Sequence, residues 1–505
     1  MINKINLKLI YKMGVILIFL ITPFFCVQSF GYQGNPQRRL YASLTVQTEY
    51  ISLQETQTLY DEIFDLEFNY DNSITKKEVD KIKTPLHFVV EDFRDMLFIL
   101  LTEDKNSYEK LEKNEEIRLD ELEKFGDSND KKSNYYKEYK WAKAEIKLHW
   151  AIIKLSFDEK WASAWRVRQA YKLLLENEKE FPNFIEHKKS LALLQIVLAS
   201  VPQKYQWALD LIGMEADLES GIKNLQKSTS QTHFFQKETL LWQTLLQTYL
   251  VEDLIENGNT SKQIAQNLVK KYPSEKLVLL VSSLVLMKNE SHKTALLTWQ
   301  NYARNYQNNK LTFDKKEHFS QEYLLAELYF YSEKLNKAKF HYLNFLRNVK
   351  SNQNRNFTKD SYYKLFLIEW FEISSEITSP NRKENTYFNS ISTKAISKTA
   401  VDKNAKKFVE SVNKSNHLPN KELYKARVLT DGGNYQKALE TVNQITNLEL
   451  QKWENEKQFE TILEYKYRKA RILDKLNQTN KAIYSYKETI NYWLSDNFCG
   501  TVKKS

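Results

Sequence analysis

The chain has 505 residues, 42% of them hydrophobic and 27% charged, which excludes global disorder and allows several domains or one long repeat array. Only 10 glycines and 8 prolines are present, too few for hairpin-rich sheets or for Gly-rich phosphate loops. The formal charge of +10 aids solubility and permits peripheral membrane association, yet no basic stripe is dense enough to predict nucleic-acid binding.

Residues 1–31 read as an export signal. Lys4, Lys8 and Lys12 form a basic start, Met13 to Val27 is an apolar stretch, and Ser29-Phe30-Gly31 offers a cleavage site before Tyr32. An uncleaved anchor would leave the body on the same side of the membrane, because the lysines stay inside. Cys26 suggests a lipid anchor, but Phe24-Phe25 stand where a lipobox has small residues. The expected location is therefore the periplasm or cell envelope. Without the signal the balance is 71 basic against 64 acidic residues, and Cys499 is the single remaining cysteine. One cysteine makes no internal disulfide, so the fold has to stand on packing.

Residues 32–270 read as an N-terminal helical region. Apolar residues recur at three- and four-residue intervals in 136–156, 161–178, 188–199 and 238–255. Residues 104–135 are dominated by Lys, Glu, Asp and Asn, and predict a charged helix and a loose loop near Gly126-Asp127-Ser128-Asn129. Pro182, Pro202, Pro273 and Pro419 mark helix boundaries. The apolar run Leu277–Met287 is too short to span a bilayer and predicts a buried helix.

A cadence follows. Ala426, Gly433, Tyr435 and Ala438 recur as Ala470, Asn477, Thr479 and Ala482, with offsets of 0, 7, 9 and 12 in both copies. Small residues let paired helices cross closely, and a turn residue sits between them. Two earlier copies centre on Ser283 with Ala295, Trp299 and Tyr302, and on Ala326 with Leu335, Ala338, Tyr342 and Phe345. This is the cadence of a tetratricopeptide repeat. It predicts an all-α fold, a helical-hairpin superhelix or α-solenoid. Repeats occupy 271–376, the polar aperiodic stretch 377–400 is a linker, and a C-terminal repeat pair fills 401–496.

One segment is more specific. WASAWRVRQAYKLLLENEKEF, from Trp161, resembles the Arg-rich helix with an Ala-Tyr pair found in the eukaryotic tetratricopeptide repeat protein 39 and inclusion-body-clearance family. Pro202, Leu209, Leu211, Gly213, Asp217 and Gly221 are similar in order and spacing to a later stretch of that family, and Tyr272-Pro273 to a repeat-helix start. Met214 and Ala216 depart from it, where the family has an aromatic and a small residue. With the terminal pair, the resemblance covers roughly residues 136–496. It implies a helical superhelix with an adaptor role linked to lipid handling in eukaryotes, and no catalytic residues. The export signal departs from the eukaryotic members. The Lys-, Asn- and Ile-rich composition suggests a bacterium with an AT-rich genome.

No catalytic constellation emerges. The eight histidines, His87, His149, His187, His233, His292, His318, His341 and His417, include no pair at i, i+4 spacing, so no metal site is predicted. There is no G-x-S-x-G elbow, and Cys499 lies in a tail where nothing rigid would activate a thiol. Acidic pairs such as Glu115-Glu116 and Asp120-Glu121 read as solvated helix surface. Trp141, Trp150, Trp161, Trp165, Trp207, Trp242 and Trp299 could stack on sugars, but their spacing reads better as core.

What remains is a binding groove. On the terminal pair the first helices carry Leu423, Arg427 and Thr430, then Tyr467, Arg471 and Asp474. Arg427 and Arg471 each follow a small residue and could together grip a carboxylate. The reading is a non-enzymatic exported scaffold, without cofactor, that binds a protein or peptide. The alternative is an outer-membrane glycan-binding protein, although such proteins are Gly-rich and carry a lipobox cysteine. A helical enzyme with a dispersed site is a third reading.

Overall fold

The computed structural model describes residues 50–68, 82–128, 134–201, 213–214, 217–250, 260–307, 319–349, 356–372, 385–393, 399–415 and 417–502. Every regular element among them is a helix, and the one β-type pairing is an isolated bridge between Tyr50 and Ile82. The fold is all-α, and neighbouring helices pack in pairs. The signal at 1–31 lies outside the described residues, as do Pro202, Trp207, Leu209, Leu211, Ala216 and His318.

The chain packs as two units, Met1–Ser261 with Glu275–Val278, and Lys262–Ser274 with Leu279–Ser505. The first unit holds α1 (Leu53–Phe64), α2 (Pro85–Thr102), α3 (Lys105–Leu111), α4 (Lys113–Ser128), α5 (Asn134–Ser156), α6 (Lys160–Glu180), α7 (Glu186–Ala199), α8 (Leu218–Ser230) and α9 (Gln236–Tyr249). Next come α10 (Ser261–Lys271) and α11 (Lys276–Lys288). The second unit continues with α12 (His292–Tyr306), α13 (Phe319–Tyr331), α14 (Leu335–Asn348), α15 (Thr358–Glu372), α16 (Thr386–Thr393) and α17 (Ala400–Ser415). It closes with α18 (Lys421–Asp431), α19 (Tyr435–Asn443), α20 (Asn447–Asn455), α21 (Phe459–Lys475) and α22 (Thr479–Val502).

Local chemistry sets the helix starts. Thr84 caps α2 ahead of Pro85, and Asn420, after Pro419, caps α18. Ser52 with Glu55 and Thr446 with Glu449 form capping boxes on α1 and α20. Asp217 caps α8, and a Cβ on Gly221 would lie 2.9 Å from the Ile196 side chain, so the close approach of α8 to α7 requires glycine.

The repeat cadence has a clear physical basis. In all four copies the residue at offset 7 has a positive φ: Glu290 at 53°, Glu333 at 62°, Gly433 at 79° and Asn477 at 56°. Each closes a Schellman turn, as when Glu290 N–H donates to Met287 O and Ser291 N–H donates to Leu286 O. The small residues at offsets 0 and 12, from Ser283 with Ala295 to Ala470 with Ala482, are all buried. One more helical hairpin, outside the predicted copies, has a turn of the same kind. Asp158 has φ 72° in the α5–α6 turn, with Ala151 seven residues before it and Ser163 five after. Ser163 Oγ donates to Ala151 O at 2.7 Å, which joins the two small positions where the helices cross.

Two sequence expectations are corrected. The stretch 377–400 is not bare linker: within it α16 buries Phe388 and Ile391, and Phe388 packs 5.3 Å from Phe366. Nor is Glu115 solvated. It is buried and accepts two hydrogen bonds of 2.7 Å from Arg166, which ties α4 to α6.

The first unit's interior contains ionic clusters within an apolar core. Arg118 contacts Asp92 and Asp95 at 2.7 Å, and all three are buried. Asp92 also holds His149 at 2.9 Å and Trp150 Nε1 at 3.0 Å. Further along, Lys189 reaches Glu145 at 3.2 Å and Glu238 at 2.8 Å. In the second unit the buried Asp402 carboxylate accepts from Phe357 N–H and Asp360 N–H, both at 2.7 Å, and so caps α15 from another helix.

Candidate functional site

The groove residues predicted on α18 and α21 are divided by the structure. Leu423 and Thr430 are buried; Leu423 packs with Ile445, Trp453 and Ile462, and Thr430 Oγ1 donates to Ala426 O. Arg427 stays exposed, 3.9 Å from Asp431. Tyr467 is partly exposed and its ring lies 6.5 Å from that of Tyr486. Asp474 is exposed and accepts from the Tyr486 hydroxyl at 3.5 Å.

Arg471 has a structural partner instead. It reaches Glu290 and Asp431, both at 3.2 Å. Glu290 also accepts from Tyr435 at 2.5 Å and pairs with Lys475 at 2.8 Å. These contacts join the α11–α12 turn to the α18–α19 turn and to α21. The α13–α14 turn meets them, since Asn434 Nδ2 donates to Tyr331 O at 3.0 Å and Lys437 pairs with Glu333. Arg471 is thus committed to holding hairpins together.

Burial by itself raises the pKa of Glu290. Hydrogen bonds from Lys475 and Tyr435, with the charges of Lys475 and Arg471, outweigh this and hold it below the usual 4.5. A carboxyl depressed on folding stabilises above its unfolded pKa, and that stabilisation is lost as pH falls through the folded value. Glu290→Gln should therefore cost about 1–2 kcal/mol at neutral pH. The gap from wild type should close below the ordinary value of about 4.5. Urea titrations from neutral pH down to pH 3 check this; a gap independent of pH would refute it.

The opposite side of α21 is open. A cleft of about 710 Å³ lies between α19, α21 and α22. At 100° per residue, Lys466, Lys469 and Leu473 share one side of α21, whereas Tyr467, Arg471 and Asp474 share the other. Leu439, Tyr465 and Leu473 give the cleft an apolar floor, and Lys466, Lys469 and Lys481 line it with positive charge. Tyr484, 65% exposed, and Glu488 stand on its α22 side.

Several lysines of the unit are paired, as Lys364 is with Glu327 at 2.7 Å. Among the described residues no carboxylate lies within ion-pair distance of Lys466, Lys469 or Lys481. Lys466 sits 5.5 Å from the Tyr492 ring centre and Lys469 5.9 Å from that of Tyr465. Such contacts orient an ammonium without neutralising it. Chemically the cleft offers apolar surface and three lysines against the one carboxylate of Glu488, a net positive lining that suits a chain segment bearing both carboxylates and apolar side chains.

The histidines sit within the helix packing. His87 bonds Thr56, His187 bonds Glu178 and Asn177, His233 bonds Ser228 O, and His341 bonds Glu322. The His292 ring lies 4.5 Å from that of Tyr331, tilted by 37°, and His417 is exposed. Among the described residues no group of three His, Cys, Asp or Glu could hold a metal ion. No protein-family model, curated protein or solved structure matches this chain.

Proposed function

We propose that the chain is a non-enzymatic exported scaffold of tetratricopeptide type, an α-solenoid that binds a protein or peptide partner in the cell envelope. The observation that carries this reading is the cleft beside α21, where an apolar floor meets three lysines that, among the described residues, have no carboxylate within ion-pair distance. The hairpin cadence supports the solenoid, since repeat surfaces bind by shape over extended faces. The resemblance to the tetratricopeptide repeat protein 39 family supports an adaptor role, and Lys4, Lys8 and Lys12 ahead of an apolar stretch support export. The partner segment is acidic and amphipathic: apolar side chains fill the floor and carboxylates meet the lysines.

Fluorescence anisotropy tests this with a labelled peptide of alternating Glu- and Leu-rich turns. Lys466→Glu, Lys469→Glu and Lys481→Glu combined should weaken binding by about 10–100-fold, given up to ~1 kcal/mol per exposed charge contact. Binding should also weaken as salt rises. Equal affinity of the triple variant, or equal binding of a lysine-rich control peptide, would sink the proposal.

A further inference from the structure

Helix α6 is apolar on two sides. One face buries Ser163, Val167, Ala170, Tyr171 and Leu174 inside the first unit. The outward face of such a helix is ordinarily polar. Here it carries Trp161, 69% exposed, Trp165, 56% exposed, and Leu175, 41% exposed. At 100° per residue these three fall on one stripe with Arg168, Lys172 and Lys179. The sequence reading placed both tryptophans in the core; Trp141, Trp150 and Trp299 are buried, but these two are not.

We propose that this stripe docks the protein onto the surface of an anionic phospholipid bilayer. Indole rings settle at the level of lipid headgroups, where an apolar body and a polar N–H are both accommodated. Lys172 and Lys179 are exposed and have no ion-pair partner among the described residues, which leaves them to meet lipid phosphates. Glu176 and Glu180, the exposed acids beside them, both face Lys140, at 3.8 and 2.8 Å. Among the described residues no helix is long and apolar enough to cross a membrane.

Two other occupants fit less well. A flat sugar needs an open ring face, but the Arg168 guanidinium lies 5.3 Å over the Trp165 ring. A second copy docking about a two-fold axis would bring like-charged lysines together. The proposal is independent of the cleft beside α21: either surface could fail its test without the other.

Vesicle sedimentation of the full chain, with tryptophan quenching by acyl-brominated lipid, tests it. Residues 1–49 contain no tryptophan, so quenching reports on the folded body. The protein should sediment with phosphatidylcholine–phosphatidylglycerol vesicles far more than with phosphatidylcholine alone, and its fluorescence should be quenched. Trp161→Ser with Trp165→Ser should lower the partition at least about tenfold and abolish most of the quenching. Lys172→Glu with Lys179→Glu should lower the partition and flatten its salt dependence. Thermal unfolding should be unchanged in both double variants, because the side chains are exposed. Failure to sediment with anionic vesicles, or tryptophan variants that bind and quench as wild type, would overturn the proposal. So would a wild-type dimer, lost in the tryptophan variant, that excludes vesicles.

Discussion

Replacing Lys189 by Met should destabilise the first unit by about 3–5 kcal/mol. Lys189 is buried on α7 between Glu145 of α5 and Glu238 of α9. Burial alone would lower its pKa, but the two carboxylates outweigh this and raise it, so the side chain is an ammonium in the fold. Met fills a similar volume and removes the charge. Glu145 would keep the Trp141 indole N–H at 3.0 Å, and Glu238 the Trp242 N–H at 3.0 Å. Neither donor neutralises a carboxylate, so two buried acids would repel each other or take up protons. Amide hydrogen exchange in peptides from α5 and α7 should accelerate by about 10²–10⁴-fold at neutral pH. Adding Glu145→Gln and Glu238→Gln to the Met variant should recover part of the loss, because removing all three charges leaves no uncompensated ion. Protection unchanged in the single variant, or no recovery in the triple variant, would show that the triad does not act as a charged unit.

Gly433→Val should cost the second unit a comparable amount, about 3–5 kcal/mol, by adding a left-handed backbone penalty to a clash. Gly433 has φ 79°, and a Cβ there would lie 2.1 Å from Glu290 O. The clashing atom is backbone of another hairpin turn, so relief requires the turns to part. That would also loosen the Glu290 contacts with Tyr435, Arg471 and Lys475. The equivalent position of the next hairpin gives the opposite sign. Asn477 has φ 56°, and Asn477→Gly should stabilise by about 0.5–1 kcal/mol through release of the same backbone penalty. Urea unfolding followed by circular dichroism checks the pair. A tolerated Val at 433 would mean that the hairpin turns do not meet as described.

The hairpins were legible in the sequence because their geometry constrains residue type. A close crossing needs a small side chain, and the turn follows it at a fixed spacing, held by Gly433 and Asn477 in two copies and by Glu290 and Glu333 in the others. The hairpin at Ala151, Asp158 and Ser163 lies outside 271–496, where the cadence is read. Trp161 and Trp165 were misplaced because α6 has apolar residues on both sides, and periodicity does not say which side faces inward. The helix at Thr386–Thr393 was hidden by polar composition, with little beyond Phe388 and Ile391 to mark a buried face.

The candidate site was less legible than the fold. Arg471 meets Glu290, 181 residues earlier, and no local pattern links them. Lys466, Lys469 and Lys481 resemble any solvated lysines in sequence; only the assembled helices gather them around one cleft, with Glu488 in the same lining. The predicted groove and the cleft share α21 but lie on opposite sides of it, a rotation that repeat position alone does not resolve.

The most direct test of the scaffold reading places a photo-crosslinking residue at Tyr484, beside the cleft, in the full-length protein within its native cells. The account predicts one discrete adduct in the envelope fraction, lost when Lys466, Lys469 and Lys481 are all changed to Glu. Recovery of the protein in cytosol, or an adduct that survives the triple change, would contradict it.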